Sequence, residues 1–158
     1  MRSETLHAIL PLAIVAGLAL SIFAAVESVD PALQGICSVN SFISCHKVDA
    51  SNFTTTFGIP DYLIGIGGFV VMFALDVQVY RVGRGRWLDA LTLFSALGLV
   101  FSVYFGYLEL VKIGALCLVC FSSYFANVAV FVTAALLRRP SSGTGRSAGM
   151  APRADDAE

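Results

Sequence analysis

Four long runs of apolar residues, separated by shorter polar segments, dominate the pattern of this chain. They cover about residues 8–26, 63–79, 88–111 and 116–137. Each run has roughly the 20 residues that an α-helix needs to cross the ~30 Å hydrocarbon core of a bilayer. The pattern therefore predicts an all-α membrane protein, a bundle of four transmembrane helices that forms one domain over residues 1–139.

The composition places the same helices in lipid. Of the 158 residues, 57% are hydrophobic and 13% are charged, and the mean hydropathy of +0.80 lies above the range of soluble globular proteins. The formal net charge of −1 gives no basis for a nucleic-acid partner, and we expect none. Residues 140–158 are rich in Gly, Ser, Ala and Pro, which predicts a disordered tail.

The first run also has the outline of a signal peptide, because Arg2 precedes it and Ala24 and Ala25 stand near its end. Its uninterrupted length exceeds the roughly 7 to 15 residues of a usual signal-peptide core. We therefore assign the first run to a transmembrane helix.

The orientation follows from the basic residues of the connections. Those assigned to the cytoplasmic side are Arg2, Arg81, Arg84, Arg86, Arg138 and Arg139, whereas the two other connections hold one Lys each, Lys47 and Lys112. The positive-inside rule then predicts a multi-pass protein of the cell membrane with both termini and the tail in the cytoplasm. Residues 27–61 and the turn near Gly114 lie outside, in a compartment that is oxidising in a prokaryote.

The four cysteines form two pairs on that outer side. Cys37 and Cys45 lie eight positions apart in a polar stretch, a spacing that a flexible loop closes into a disulfide only by curling back on itself. Cys117 and Cys120 open the fourth run, where their i, i+3 spacing puts both sulfurs on one face. The positive end of a helix dipole stabilises a thiolate there, so this pair is suited to switching between dithiol and disulfide.

The second sulfur of that pair, at Cys120, lies one turn deeper in the membrane and is the expected electron donor. A quinone is the natural acceptor, because it is lipid-soluble and takes the two electrons that a dithiol releases.

Three polar or short features complete the pattern. Residues 48–55 carry apolar side chains in a polar segment too short to span the membrane, which predicts a short interfacial helix or lid on the outer surface. Pro60 is expected in the first turn of the second transmembrane helix. Asp76 and Gln78 are expected to reach the inner interface, and Glu109 the outer one.

Less specific explanations of the cysteines stay open. A structural zinc site needs four ligands, and His7 and His46 are not at metal-ligand spacing from the CxxC, so we expect no metal. Two structural disulfides are possible, although a CxxC closes a minimal loop and stabilises little. His46 either assists the thiol of Cys45 or is a solvated loop residue.

The combined pattern resembles a known family. A spaced pair in the first outer loop, ending in Ser44-Cys45, precedes the sequence CLVCFSSY at residues 117–124. This order is similar to the vitamin K epoxide reductase family, over almost the whole chain to about Leu137. The disulfide-bond-forming quinone reductases of bacterial inner membranes also have four helices and two cysteine pairs, but their CxxC lies in the first outer loop and their spaced pair in the second. The order in this chain is the reverse, which favours the vitamin K epoxide reductase family.

The resemblance implies a role for each cysteine. Cys117 and Cys120 would be the active-site pair, with Cys120 facing the quinone. Cys37 and Cys45 would be the relay pair, in which Cys37 meets an external thiol and Cys45 exchanges with Cys117. Tyr124 matches a tyrosine that lines the quinone pocket in the family, and Ser51 falls where the family has a lid serine.

One departure concerns the second predicted helix, because residues 63–75 contain no Asn to bond a quinone carbonyl. We therefore expect a prokaryotic homologue that oxidises thiols with ubiquinone or menaquinone. Its partner would be a separate thioredoxin-fold thiol oxidase, since no thioredoxin-like sequence follows the fourth helix. Reduction of vitamin K quinone or its epoxide is the alternative, and a non-catalytic protein with structural disulfides is another.

The orientation is testable at the connection between the second and third predicted helices. A reporter that is active only outside the cytosol, fused after Gly85, should be silent, because the neighbouring Arg81, Arg84 and Arg86 hold this connection in the cytoplasm. Strong activity of the fusion would reverse the assigned orientation.

Overall fold

The computed structural model describes residues 3–30, 32–33, 40, 42–49, 51, 55–56, 58–83 and 85–138. Cys37 and the predicted tail from residue 140 lie outside the described residues. Five α-helices are present within the described ranges: α1 Ser3–Val29, α2 Cys45–Asp49, α3 Asp61–Val82, α4 Gly85–Tyr107 and α5 Leu118–Arg138. A π-helix over Leu108–Ile113 continues α4.

The prediction of four transmembrane helices is confirmed. In the part of the chain that the structure describes, α1, α3, α5 and the combined α4 and π-helix are the four helices long and apolar enough to cross a membrane. α1, α3 and the combined α4 and π-helix extend beyond their apolar runs at both ends, because polar end residues such as Asp61 continue the hydrogen-bond ladder, whereas α5 begins two residues later than its run and ends one residue beyond it.

The four long helices form a closed ring. α1 packs against α3 and α5, and α4 packs against the same two neighbours from the other side. The interior contains Leu10, Ile14, Phe69, Leu91 and Val130, which belong to one buried cluster. Large apolar side chains such as Leu93 and Val103 point outward, as expected of helices whose surroundings are lipid rather than water.

The segment between α1 and α3 differs from its prediction. The short helix is α2, which begins at Cys45 rather than at residue 48, and Thr55–Thr56 forms a strand β1 instead of ending that helix. β1 pairs antiparallel with a second strand β2, Ile59–Pro60. The β-branched threonines favour the extended backbone over the helix. Pro60 directly precedes α3, so it is not in the first turn.

Two acidic residues expected at the interfaces are buried, Asp76 in α3 and Glu109 in the π-helix. Asp76 shares a face of α3 with Met72 and Val79, and that face packs into the ring. Only 2% of its surface is exposed, and its Oδ1 has no hydrogen-bond partner among the described residues. The expectation that Asp76 reaches the inner interface is therefore wrong.

Candidate redox site

The helix that carries the CxxC begins at its first cysteine. α5 starts at Leu118, and the Sγ of Cys117 accepts a hydrogen bond from the backbone N–H of Cys120 at 3.2 Å. The carbonyl of Cys117 accepts the first helical bond, from Phe121 N–H at 2.9 Å. Cys117 is thus the N-cap of α5, with its sulfur at the end of the helix that favours negative charge. Cys117 and Cys120 are free thiols.

The π-helix before α5 ends at a glycine that sets the path of the chain. Gly114 has φ 64° and ψ 31°, a left-handed conformation that costs a residue with a Cβ more than it costs glycine. The N–H groups of Gly114 and Ala115 both donate to the carbonyl of Glu109. The wider π turn changes which side chains face the bundle, and such turns often occur at functional sites.

The side chain of Glu109 links Cys117 to Tyr124 through two hydrogen bonds. Its Oε2 accepts the backbone N–H of Cys117 at 3.0 Å, and its Oε1 accepts the hydroxyl of Tyr124 at 2.8 Å. Only 3% of Glu109 is exposed, so the expectation that it reaches the outer interface is wrong. Both oxygens of the buried carboxyl group therefore accept a hydrogen bond.

Sequence reasoning missed Glu109 as a candidate site residue. The available signal was its chemistry, because an acidic residue inside an apolar run is by default a candidate for a functional site. Its position near the end of the run concealed this, since a carboxyl there also satisfies the simpler expectation of reaching water.

The loop that carries Cys45 is hydrogen-bonded to the residue before the CxxC. Ile43 and Leu116 form a parallel β-bridge, in which Leu116 N–H donates to the carbonyl of Phe42 at 2.7 Å and Ser44 N–H donates to that of Leu116 at 3.2 Å. Asn40 Oδ1 stabilises the loop side of this bridge by accepting hydrogen bonds from the N–H groups of Phe42 and Ile43. The bridge holds Cys45 beside the start of α5.

As a result, Cys45 and Cys117 lie in one buried cluster with Val48 and Ala115. Cys45 is 1% exposed and Cys117 is 2% exposed. Cys45 is disulfide-bonded. The structure therefore brings together one cysteine of the loop pair and the first cysteine of the CxxC, and Cys37 lies outside the described residues.

A cavity of about 240 Å³ opens between the four long helices. Its walls are mostly apolar, with Phe69, Phe101 and Phe105 among them, and a few polar residues from each of the four long helices also line it. Cys120 and Tyr124 line this cavity, whereas Cys117 and Ser51 are not among its lining residues. An apolar space with few polar groups suits a flat carbonyl compound such as a quinone head group.

Ser51 and His46, the other residues considered from the sequence, lie in or near the short helix α2. The hydroxyl of Ser51 donates to the carbonyl of Val48 at 2.7 Å, which ties it to the segment that carries Cys45. The side chain of His46 lies outside the described residues. Within the described ranges, no group of three or more His, Cys, Asp or Glu side chains could hold a metal ion.

Comparison with known proteins gives one family. The model of the vitamin K epoxide reductase family matches residues 8–135. Vitamin K epoxide reductase complex subunit 1 of Mus musculus is 28% identical over 130 residues, which covers 74% of this chain and 81% of the mouse protein. The same subunit of Rattus norvegicus is 27% identical with equal coverage.

The bridging role of Glu109 predicts a loss of stability on substitution. In Glu109→Leu, the N–H of Cys117 and the hydroxyl of Tyr124 each lose an acceptor, and a buried donor without a partner costs about 1–3 kcal/mol. Glu109→Gln keeps one acceptor oxygen and should lose less. Thermal unfolding of the purified variants in detergent measures this order.

Glu27 provides the matched control, because it is also a buried glutamate and its Oε1 has no partner among the described residues. Glu27→Leu should leave the unfolding temperature unchanged or raise it. Equal destabilisation by Glu109→Leu and Glu27→Leu would contradict the bridging role.

Proposed function

Because the chain belongs to the vitamin K epoxide reductase family, we propose that it is a quinone-dependent thiol-disulfide oxidoreductase that supports disulfide bond formation. Electrons would pass from a separate thioredoxin-fold partner on the outer side through Cys37 and Cys45 to Cys117 and Cys120, and then to a quinone. The charge pattern of the connections supports a location in the cell membrane with both termini cytoplasmic.

One observation carries the proposal: the two cysteines of the CxxC face different surroundings. Cys117 is buried in the cluster with Cys45 and does not line the cavity, whereas Cys120 packs against the edge of that cluster and also lines the cavity. Thiol-disulfide exchange needs the attacking sulfur beside the one it attacks, and electron transfer to a lipid-soluble acceptor needs a sulfur facing the apolar space. The CxxC supplies one sulfur for each requirement.

The exchange steps follow from this placement. A partner dithiol reduces the loop disulfide and becomes a disulfide itself, which leaves Cys37 and Cys45 as thiols. The thiolate of Cys45 then attacks Cys117 Sγ in the Cys117–Cys120 disulfide, so a Cys45–Cys117 bond forms and Cys120 leaves as a thiolate. Attack by Cys37 on Cys45 restores the loop disulfide and leaves Cys117 reduced.

A bound quinone supplies an acceptor for two electrons and two protons. The residues of this chain that would hold it are those that line the cavity, among them Cys120 and Tyr124. As Cys117 and Cys120 return to the disulfide, they release two electrons and two protons, so the overall reaction balances.

Glu109 and Tyr124 provide a place for one of these protons. Tyr124 has a single phenolic hydrogen, and it donates this hydrogen to Oε1 of Glu109. A proton taken up by the Glu109 carboxyl would reverse this bond, and the phenolic hydrogen would become free to point into the cavity. Glu109 thereby controls the direction of the Tyr124 hydroxyl.

A second function is favoured by the names of the mammalian relatives, which are vitamin K epoxide reductase complex subunits. The same dithiol could reduce vitamin K quinone or its epoxide, in which case epoxide reduction yields the quinone, water and a disulfide. Anaerobic assays with ubiquinone, menaquinone and vitamin K epoxide as alternative acceptors separate the two functions. Consumption of the epoxide at a rate equal to that of the quinones would favour the second.

The relay predicts a division of labour among the cysteines. Cys117→Ala or Cys120→Ala should abolish anaerobic quinone reduction with any donor, because both sulfurs are needed for the final disulfide. Cys37→Ala or Cys45→Ala should abolish it with a thioredoxin-fold protein donor but spare part of it with a small membrane-permeant dithiol. Loop variants that are equally inactive with the small dithiol would show that the order of the relay is wrong.

The handoff predicts a trapped intermediate. In a Cys37→Ala, Cys120→Ala double variant, neither remaining sulfur has a second cysteine to displace it, so a Cys45–Cys117 disulfide should accumulate under oxidising conditions. Mass spectrometry of disulfide-linked peptides detects it. Two free thiols in this variant would return the interpretation to independent structural bridges.

A further inference from the structure

We propose that Asn127 of α5 anchors the head group of the electron acceptor by a hydrogen bond from its side-chain amide to a quinone carbonyl. This inference rests on the proposed function and adds a binding residue outside the cysteine relay and its tyrosine.

The side chain of Asn127 is buried without a full set of partners. It lines the cavity and is 4% exposed. Its Oδ1 has no hydrogen-bond partner among the described residues, and its Nδ2 reaches only the carbonyl of Ser95, at the long distance of 3.5 Å. A buried amide that lacks partners is costly and calls for an explanation. A ligand in the cavity would provide the missing partner.

The position of this amide is fixed by the neighbouring helix α4. A Cβ built on Gly98 of α4 would lie 2.8 Å from Nδ2 and 3.2 Å from Oδ1 of Asn127. The amide therefore lies against the bare backbone of α4, in a space that a larger residue would fill. Packing of this kind holds a binding group in place before the ligand arrives, which lowers the entropic cost of binding.

The register along α5 relates Asn127 to the reacting sulfur. Cys120, Tyr124 and Asn127 are spaced i, i+4, i+7, so they follow one face of the helix, and all three line the cavity. Seven residues of helix separate Cys120 from Asn127 along the axis by about 10 Å. This leaves room for a ring between the sulfur at one end and the amide at the other.

The amide suits both oxidation states of such an acceptor. Nδ2–H donates to a carbonyl oxygen, which a quinone presents when it is oxidised, and Oδ1 accepts from a hydroxyl, which the reduced compound presents. A purely structural role would be different, because Asn127 would then serve only to join α5 to Ser95 of α4.

An infrared measurement distinguishes the two roles. Short-tailed ubiquinone labelled with ¹³C at one or the other carbonyl is bound to the purified full-length protein in detergent. In the unchanged protein, one carbonyl band should shift to lower frequency, and in Asn127→Leu this shift should be lost. The KM for ubiquinone should rise about tenfold, the factor that corresponds to one hydrogen bond, with little change in kcat.

Thr133→Val is the matched control, because Thr133 is another buried polar residue of α5 but does not line the cavity. This variant should keep the shifted carbonyl band and the KM. Gly98→Ala should weaken the shift, since the new methyl group displaces the amide. If Asn127→Leu does not fold, Asn127→Ala decides by the same spectrum.

The failures of the two proposals differ. A shifted band that persists in the Asn127 variants, or a KM that rises equally in Thr133→Val, would overturn the anchor while leaving quinone reduction intact. A protein that binds ubiquinone with the shifted band but never reduces it from a dithiol donor would overturn the proposed function and retain the anchor.

Discussion

The structure of the site depends on one buried carboxylate with two donors. Glu109 accepts hydrogen bonds from the backbone at Cys117 and from the hydroxyl of Tyr124. In an apolar surrounding these donors have no water molecule as an alternative acceptor. The two hydrogen bonds therefore fix the π-helix, the start of α5 and Tyr124 relative to one another. Cys117, which lies beside Cys45 of the loop, and Tyr124, which lines the cavity, are therefore held by the same side chain.

A second constraint separates two environments within a few residues. The bridge between Ile43 and Leu116 brings Cys45 to a small, closed cluster with Cys117, and the first turn of α5 then carries Cys120 to the cavity. Because the helix begins directly after Cys117, the tetrapeptide at residues 117–120 contacts both the buried cluster that contains Cys45 and the apolar cavity.

The apolar runs predicted the four long helices because length and hydropathy are enough to define a membrane span. The order of the cysteine pairs likewise predicted that Cys45 and Cys117 lie at the same end of the bundle. The inward faces were not predictable in the same way. Lipid and helix neighbours are both apolar, so the pattern along α3 does not reveal that Asp76 points inward. The burial of Glu109 depends on a π turn, and that of Asn127 on the missing side chain of Gly98, and neither leaves a periodic signal.

The bridge between the loop and α5 has a kinetic consequence. Two backbone hydrogen bonds, from Leu116 to Phe42 and from Ser44 to Leu116, keep two sulfur-bearing segments of the same chain side by side. A reaction between tethered groups proceeds at an effective concentration set by the tether rather than by the solution, and for short connections this concentration lies in the millimolar range or above. Soluble thiols at lower concentration would compete poorly for Cys117, which is enclosed beside its tethered neighbour. Selectivity for the chain's own cysteine would then follow from the backbone, without any residue that recognises a thiol.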